Sequence, residues 1–137
     1  MIVVDASAIT DFLLGRPEAV DALERELADR EHEPLHAPEL VEPETLNALR
    51  RLVHAGLVTE GRATEAVADL ATARLVLYPH APLRERVWEL RHELTAYDAT
   101  YLTLAEALED PVLVTGDGGL ARRARDALGA DRVRQLN

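Results

Sequence analysis

Residues 110–129 read DPVLVTGDGGLARRARDALG. A short apolar run, Val112–Val114, leads through Thr115 to an aspartate, Asp117, set between glycines. An arginine-studded segment follows, with Leu120, Ala124 and Leu128 at the spacing of one helix face. The N-terminus, MIVVDASAITDFLLG, repeats the scheme: Ile2–Val4 end on Asp5, and a helical pattern begins at once. Short apolar strands that feed helices imply β–α–β units, and hence a mostly parallel sheet with helices on both faces. Ligands of such sheets bind beyond the carboxyl ends of the strands. Asp5 and Asp117 both stand at that end.

The rest of the chain extends this alternation. The patterns predict strands at about 2–5, 35–37, 75–79, 112–115 and 132–136. Helices are predicted at about 7–14, at 18–30 after Pro17, and across 39–56, where Gly56 closes a stripe of Leu46, Leu49 and Val53. Further helices follow over 59–73, from Pro82 to 94, over 97–109 and over 118–129. With 137 residues and no linker, repeat or low-complexity stretch, one domain spanning 1–137 is expected.

Composition removes several chemistries. The chain has no cysteine, which excludes disulfides, Cys-based zinc sites and thiol catalysis. The apolar run at the N-terminus is broken by Asp5 and Asp11 and has no basic leader, so neither a signal peptide nor a membrane span is expected, and the compartment is the cytoplasm. The net charge of −10 argues against a general electrostatic grip on nucleic acid. It does not forbid nucleic-acid chemistry, because bound divalent cations change the local sign of a site. It equally suits a soluble surface or a groove for a basic peptide.

All fifteen basic residues are arginine. Without lysine there is no P-loop, and the lysine-dependent sites of receiver domains and haloacid-dehalogenase phosphatases cannot form. Ser7 in DASA lacks the turn and paired histidine of a hydrolase nucleophile. HEPLH, residues 32–36, matches a zinc-protease string, but Pro34 between the histidines breaks the helix that this chemistry needs. His54, His80 and His92 have no matching partner and read as surface or packing residues.

Acids are what remain. Asp5 and Asp117 each precede a helix, where an aspartate caps free N–H groups and meets the positive end of the helix dipole. If their strands are neighbours, the two carboxylates also converge, and without a cation their repulsion is costly. Asp98 is in register with Tyr101, Leu102, Ala105 and Leu108, so it heads the buried face of its helix and needs a donor, a cation or a raised pKa. Glu44 falls away from the Leu46–Leu49–Val53 stripe, toward solvent or the rim of a cleft. Spacing does not choose between it and Glu39 or Glu42.

Four stretches, in order, carry a resemblance: IVVDASA at 2–8, PELVEPETLNALRRL at 38–52, LTAYDATYLTLAEAL at 94–108 and LVTGDGGLARRA at 113–124. Together they resemble PIN-domain ribonucleases, in particular the VapC toxin subgroup of type II toxin–antitoxin systems. The resemblance implies a three-layer α/β/α sandwich whose acidic cluster binds Mg²⁺ or Mn²⁺ and hydrolyses RNA. It implies that Asp5, Glu44, Asp98 and Asp117 are the catalytic acids, with Asp5, Asp98 and Asp117 on the metal. Ser7 and Thr115 match small hydroxyl positions of such sites and, with Arg122, are the candidate substrate contacts. Gly118 and Gly119 depart from the pattern, which often has a basic residue after the last aspartate; Arg122, Arg123 and Arg125 are one turn further on. A VapB-like antitoxin, a homodimer and the absence of any membrane partner are implied as well. The competing readings are a non-catalytic PIN-like module that binds RNA or protein, and an acid-cluster phosphatase.

Overall fold

The structure is a computed structural model that describes residues 1–30 and 32–137. Five strands form one sheet: β1 (Ile2–Val4), β2 (Leu35–Pro38), β3 (Leu75–Tyr78), β4 (Val112–Thr115) and β5 (Val133–Gln135), in the order β3-β2-β1-β4-β5. Every pairing in it is parallel. In β1 and β4 every residue is buried, because helices cover both faces and leave no polar side for an alternating pattern. β3, at the edge, is only half-covered and keeps Val76 and Leu77 partly in solvent.

Among the described residues seven helices complete the layers: α1 (Ala6–Leu13), α2 (Pro17–Leu27), α3 (Val41–His54), α4 (Glu60–Thr72), α5 (Arg84–Glu89), α6 (Ala96–Ala107) and α7 (Gly118–Leu128). α1 packs with α2, α3 and α4, while α6 packs with α5 and α7, and both α1 and α6 also touch the central strands. The result is the expected α/β/α sandwich. Local chemistry sets the breaks. Gly15 and Gly56, at φ of +70° and +72°, end α1 and α3 in the left-handed region that residues with a Cβ avoid. Pro17 opens α2, where its missing N–H removes no helical bond.

Two expectations change. The helix predicted from Pro82 to 94 begins as a 3-10 turn at Ala81–Leu83 and its α-helical part stops at Glu89. Beyond it the bonds tighten, Arg91 N–H donating to Trp88 O and Glu93 N–H to Leu90 O, before the chain straightens at Thr95 to cap α6. In α3 the stripe is not Leu46–Leu49–Val53. Leu46 is 45% exposed, and the face turned to the core is Val41, Thr45 and Leu49. The helix is rotated so that threonine, with its methyl group, takes a core position. HEPLH is turn and strand, as Pro34 requires: His32 has φ of 75° and His36 lies in β2, its Nδ1 2.8 Å from Tyr78 OH.

The α3 packing is testable by denaturant unfolding. Leu49→Ala is expected to cost about 2–5 kcal/mol, as buried Leu→Ala changes do, and Leu46→Ala less than about 1 kcal/mol. Equal losses at the two positions would restore the original stripe.

Candidate active site

β1 lies between β2 and β4, and the succession of strands turns back at the β1–β4 seam. That seam is the switch point of a doubly wound sheet, where a crevice opens beyond the strand ends. Val4 is opposite Val114, so Asp5, just past the end of β1, stands beside Thr115, the last residue of β4. Asp5 is 5% exposed. Its Oδ1 accepts from Ser7 Oγ–H at 2.6 Å and from Ala8 N–H at 2.9 Å, and its Oδ2 accepts from the Thr115 hydroxyl. Burial pushes its carboxyl above the ordinary value and nearby Asp117 adds to the rise, while these three donors oppose it.

Thr115, grouped from the sequence with the substrate contacts, has no exposed surface. Its hydroxyl donates to Asp5 and accepts from Asp117 N–H at 2.9 Å, so it holds two acids in place. Ser7 Oγ likewise serves Asp5 and accepts from Gly116 N–H at 2.8 Å, which ties α1 to the loop after β4. Ser7 does line the cleft. Asp117 caps α7 by accepting from Leu120 N–H at 2.7 Å through Oδ1. Asp5 and Asp117 are therefore helix caps and converging acids at once.

The other two acids come from the helices facing this seam. Thr95 caps α6 by accepting from Asp98 N–H at 3.2 Å, which sets Asp98 in the first turn. Its half-buried carboxylate accepts no hydrogen bond among the described residues. Desolvation first, then repulsion from Asp117, Asp5 and Glu44, raises its pKa from 3.8 to about 6. Glu44, in α3, accepts from Tyr101 OH at 2.7 Å through Oε1. Burial, then this bond to a carboxylate, pushes the Tyr101 phenol well above its usual range, so it remains a donor.

The four acids line a single cleft of about 490 Å³. A fifth acid, Asp11, also lines it but is paired with Arg16 at 2.7 Å. Tyr101 and Arg51 are further members that were not singled out as site residues from the sequence. Tyr101 orients Glu44, and its position three residues after Asp98 was readable only as core packing. Among the described residues Arg51 is the one cation lining the cleft. It stands seven residues after Glu44 on the same face of α3, a spacing that a helical wheel centred on Glu44 would have revealed. Arg122 lies outside the cleft, in an adjoining groove that Asp98 also lines. Arg123 pairs with Glu93 at 2.8 Å and Arg125 donates to Gln135 at 3.0 Å.

The donor set suits a hard divalent cation. All four acids offer oxygen, and Asp98 presents a carboxylate with no bonded partner while three others repel it. Among the described residues no three His or acidic side chains form a ready-made cage. Magnesium does not need one, because it keeps several waters and is usually held by one or two carboxylates.

Comparison with known proteins agrees with this geometry. The PIN domain family model matches residues 2–126. Ribonuclease VapC1 of Mycobacterium tuberculosis is 41% identical over 120 residues, covering 87% of each chain. Ribonuclease VapC9 of the same species is 44% identical over 120 residues, covering 85% of this chain and 86% of that one. Among solved structures, PAE2754 from Pyrobaculum aerophilum superposes with a TM-score of 0.68 at 26% identity over 96% of this chain and 81% of that one. Mycobacterium tuberculosis VapC20, described as a sarcin-ricin loop cleaving toxin, shares the fold with a TM-score of 0.62 at 22% identity, covering 90% and 95%. A parallel α/β/α sheet with an acid cluster at its switch point defines the class, and the chain belongs to the PIN-domain family, in its VapC ribonuclease group. No helix among the described residues is long and apolar enough to cross a membrane.

Crowded acids predict a pH signature. An aspartate with a raised pKa binds its proton more tightly folded than unfolded, so the penalty is absent below about pH 4, grows as pH rises toward about 6 and is complete above it. In divalent-free buffer, Asp98→Asn is expected to stabilise the fold by about 1 kcal/mol at neutral pH, a figure discounted for the open side of the cleft, and by almost nothing near pH 4. Chemical unfolding of both proteins across that range measures the difference, and a gap independent of pH would mean that Asp98 is neither desolvated nor crowded in the folded chain.

Proposed function

We propose that this chain is a metal-dependent endoribonuclease, the toxin of a type II toxin–antitoxin pair, which hydrolyses RNA phosphodiester bonds in the acidic cleft. The observation that carries this reading is the convergence of Asp5, Glu44, Asp98 and Asp117 on one cleft at the β1–β4 seam. The names of the relatives, ribonucleases over most of the chain, support it. Residues 1–137 act as one PIN-like domain, working in the cytoplasm as a homodimer.

Asp5, Asp98 and Asp117 would hold Mg²⁺ or Mn²⁺. Bound there, the ion would supply charge neutralisation for the phosphodiester and a water acidic enough to yield a nucleophile near neutral pH. The protein's own part is to present oxygens in fixed positions. Oδ1 of Asp5 is saturated by two donors, whereas Oδ2 accepts one and keeps a lone pair for a ligand. Asp117 has one oxygen tied to α7 and the other unbonded, and Glu44 is divided in the same way by Tyr101. Asp98 offers both oxygens. Arg51 offers the phosphate a countercharge at the mouth, and Arg122 offers another beside it. Among the described residues the titratable side chains lining the cleft are carboxylates, Tyr101 and Arg51, so a carboxylate is the group that would exchange a proton with water.

A cognate antitoxin would occupy the same cleft with a segment carrying an arginine, whose guanidinium replaces the cation as partner for the carboxylates. The deciding experiment is cleavage of total cellular RNA by the wild-type chain, Asp5→Asn and Asp98→Asn, with Mg²⁺, Mn²⁺ or chelator. Discrete cuts are expected from the wild type with metal alone. The variants should lose at least the ~10- to 100-fold that removal of even an outer partner of a metal ligand costs. Equal cleavage by all three proteins, or cleavage in chelator, would refute the mechanism. Specific binding of RNA without any cut would favour the non-catalytic module.

A further inference from the structure

α5 and the turn after it carry a surface unlike the rest of this acidic chain. Trp88, the only tryptophan, is 67% exposed. Arg91 sets its guanidinium 4.6 Å from the centre of that ring, and its Nη1–H donates to Trp88 O at 2.9 Å. The two flat groups share a groove of about 420 Å³ with His80, Arg84, Thr95 and Thr100. Among the described residues no acid lines it, although acids outnumber basic residues 25 to 15 in the chain, and Ala81, Val87, Leu94 and Ala96 form the apolar part of its wall. Neither Arg84 nor Arg91 has an acidic partner among the described residues. His80 Nε2 accepts from Leu40 N–H at 2.9 Å, an assignment that leaves Nδ1 as a donor.

This groove connects with the acids. Leu94 and Thr95 line it and also line the shallower groove that holds Arg122. That second groove also carries Glu93, paired with Arg123 at 2.8 Å, and Asp126, so Arg122 is its unpaired cation among the described residues; it reaches Asp98, which lines the acidic cleft. A continuous track therefore leads from the carboxylates past Arg122 to Trp88 and Arg91.

We propose that this track holds the single-stranded RNA flanking the cut site, with an unpaired base stacked on the Trp88–Arg91 platform and phosphates on Arg84 and Arg122. The inference rests on the ribonuclease reading and deepens it. Unstacked bases are recognised by stacking on aromatic rings and guanidinium planes, and a track of positive side chains follows the backbone. An arginine already lying over the indole adds cation–π attraction and fixes the ring's orientation. A second copy of the chain suits this face poorly. A two-fold contact sets the same patch against itself, which would bring the Arg84 and Arg91 charges of both copies into one interface with no acid among the described residues of the groove to answer them.

Because Trp88 is the only tryptophan, its fluorescence reports on the platform alone. In the Asp98→Asn background, a mixed-sequence single-stranded RNA of about 20 nucleotides should quench that emission as it binds. Inorganic polyphosphate, which has charge but no base, should not. Trp88→Ala should weaken binding of the same labelled RNA by about 5- to 150-fold, the range that stacking of one base accounts for. Arg91→Gln is a second variant that leaves the indole in place, and it should reduce both the quenching and the affinity. Emission unchanged at saturating RNA, undiminished affinity of Trp88→Ala, or no RNA binding at all would overturn the platform. Emission that shifts with protein concentration in the absence of RNA would also overturn it and assign the face to a protein contact. Cleavage by the wild-type chain is scored separately, so a failed platform leaves the nuclease standing, and quenching without cleavage keeps the platform while sinking the nuclease.

Discussion

The pairing of β1 with β4 is the constraint on which the rest of the structure depends. It sets Val4 against Val114 and brings the Asp5 N–H to Val114 O at 3.3 Å. The next residues on each strand then meet beyond the sheet, where Thr115 donates to Asp5 and Ser7 accepts from Gly116. A carboxylate as buried as Asp5 is tolerated only with several donors. Here they come from both strands' continuations. If β4 paired anywhere else in the sheet, Asp5 would lose Thr115, and Asp117 would leave the cleft.

The same seam explains how the fold tolerates four acids in one place. α1, α6 and α7 all begin at the cleft, capped by Asp5, Thr95 and Asp117. Each helix start carries partial positive charge and free N–H groups. Those groups offset part of the repulsion and set the direction of the carboxylates. Asp98 still holds its proton more tightly than usual, first because it is desolvated and then because the other acids repel it, and its oxygens have no donor among the described residues. Strain of this kind, retained at one site and supported by a well-packed core, is the usual mark of a functional cluster.

Arginine is distributed in a complementary way. Several arginines are committed to surface pairs, such as Arg86 with Glu89 and Glu106, or Arg134 with Glu26, which contribute little to stability individually. Arg51, Arg84, Arg91 and Arg122 have no acidic partner among the described residues and lie in or beside the grooves. A negatively charged protein can therefore receive a polyanion locally, through a few unneutralised guanidinium groups near its acids.

Much of this was legible in the chain itself. Continuous apolar runs at Ile2–Val4 and Val112–Val114, each ending on aspartate and followed by a helical pattern, determined the parallel sheet and the end of it that matters, because only strands covered on both faces read that way. The capping roles of Asp5 and Asp117 were equally local. Periodicity misjudged α3, since Thr45 and Leu46 compete for the core by small differences in position that a wheel does not resolve. The length of α5 was also misjudged, because its end is dictated by the need of α6 for an extended cap at Thr95. Only the tertiary structure decided that Thr115 holds acids and does not meet solvent, that Tyr101 governs Glu44, and that Arg122 stands aside from the cleft. Each of these depends on which strands and helices become neighbours, and that follows from packing between residues far apart in the chain, where spacing along the sequence carries no information.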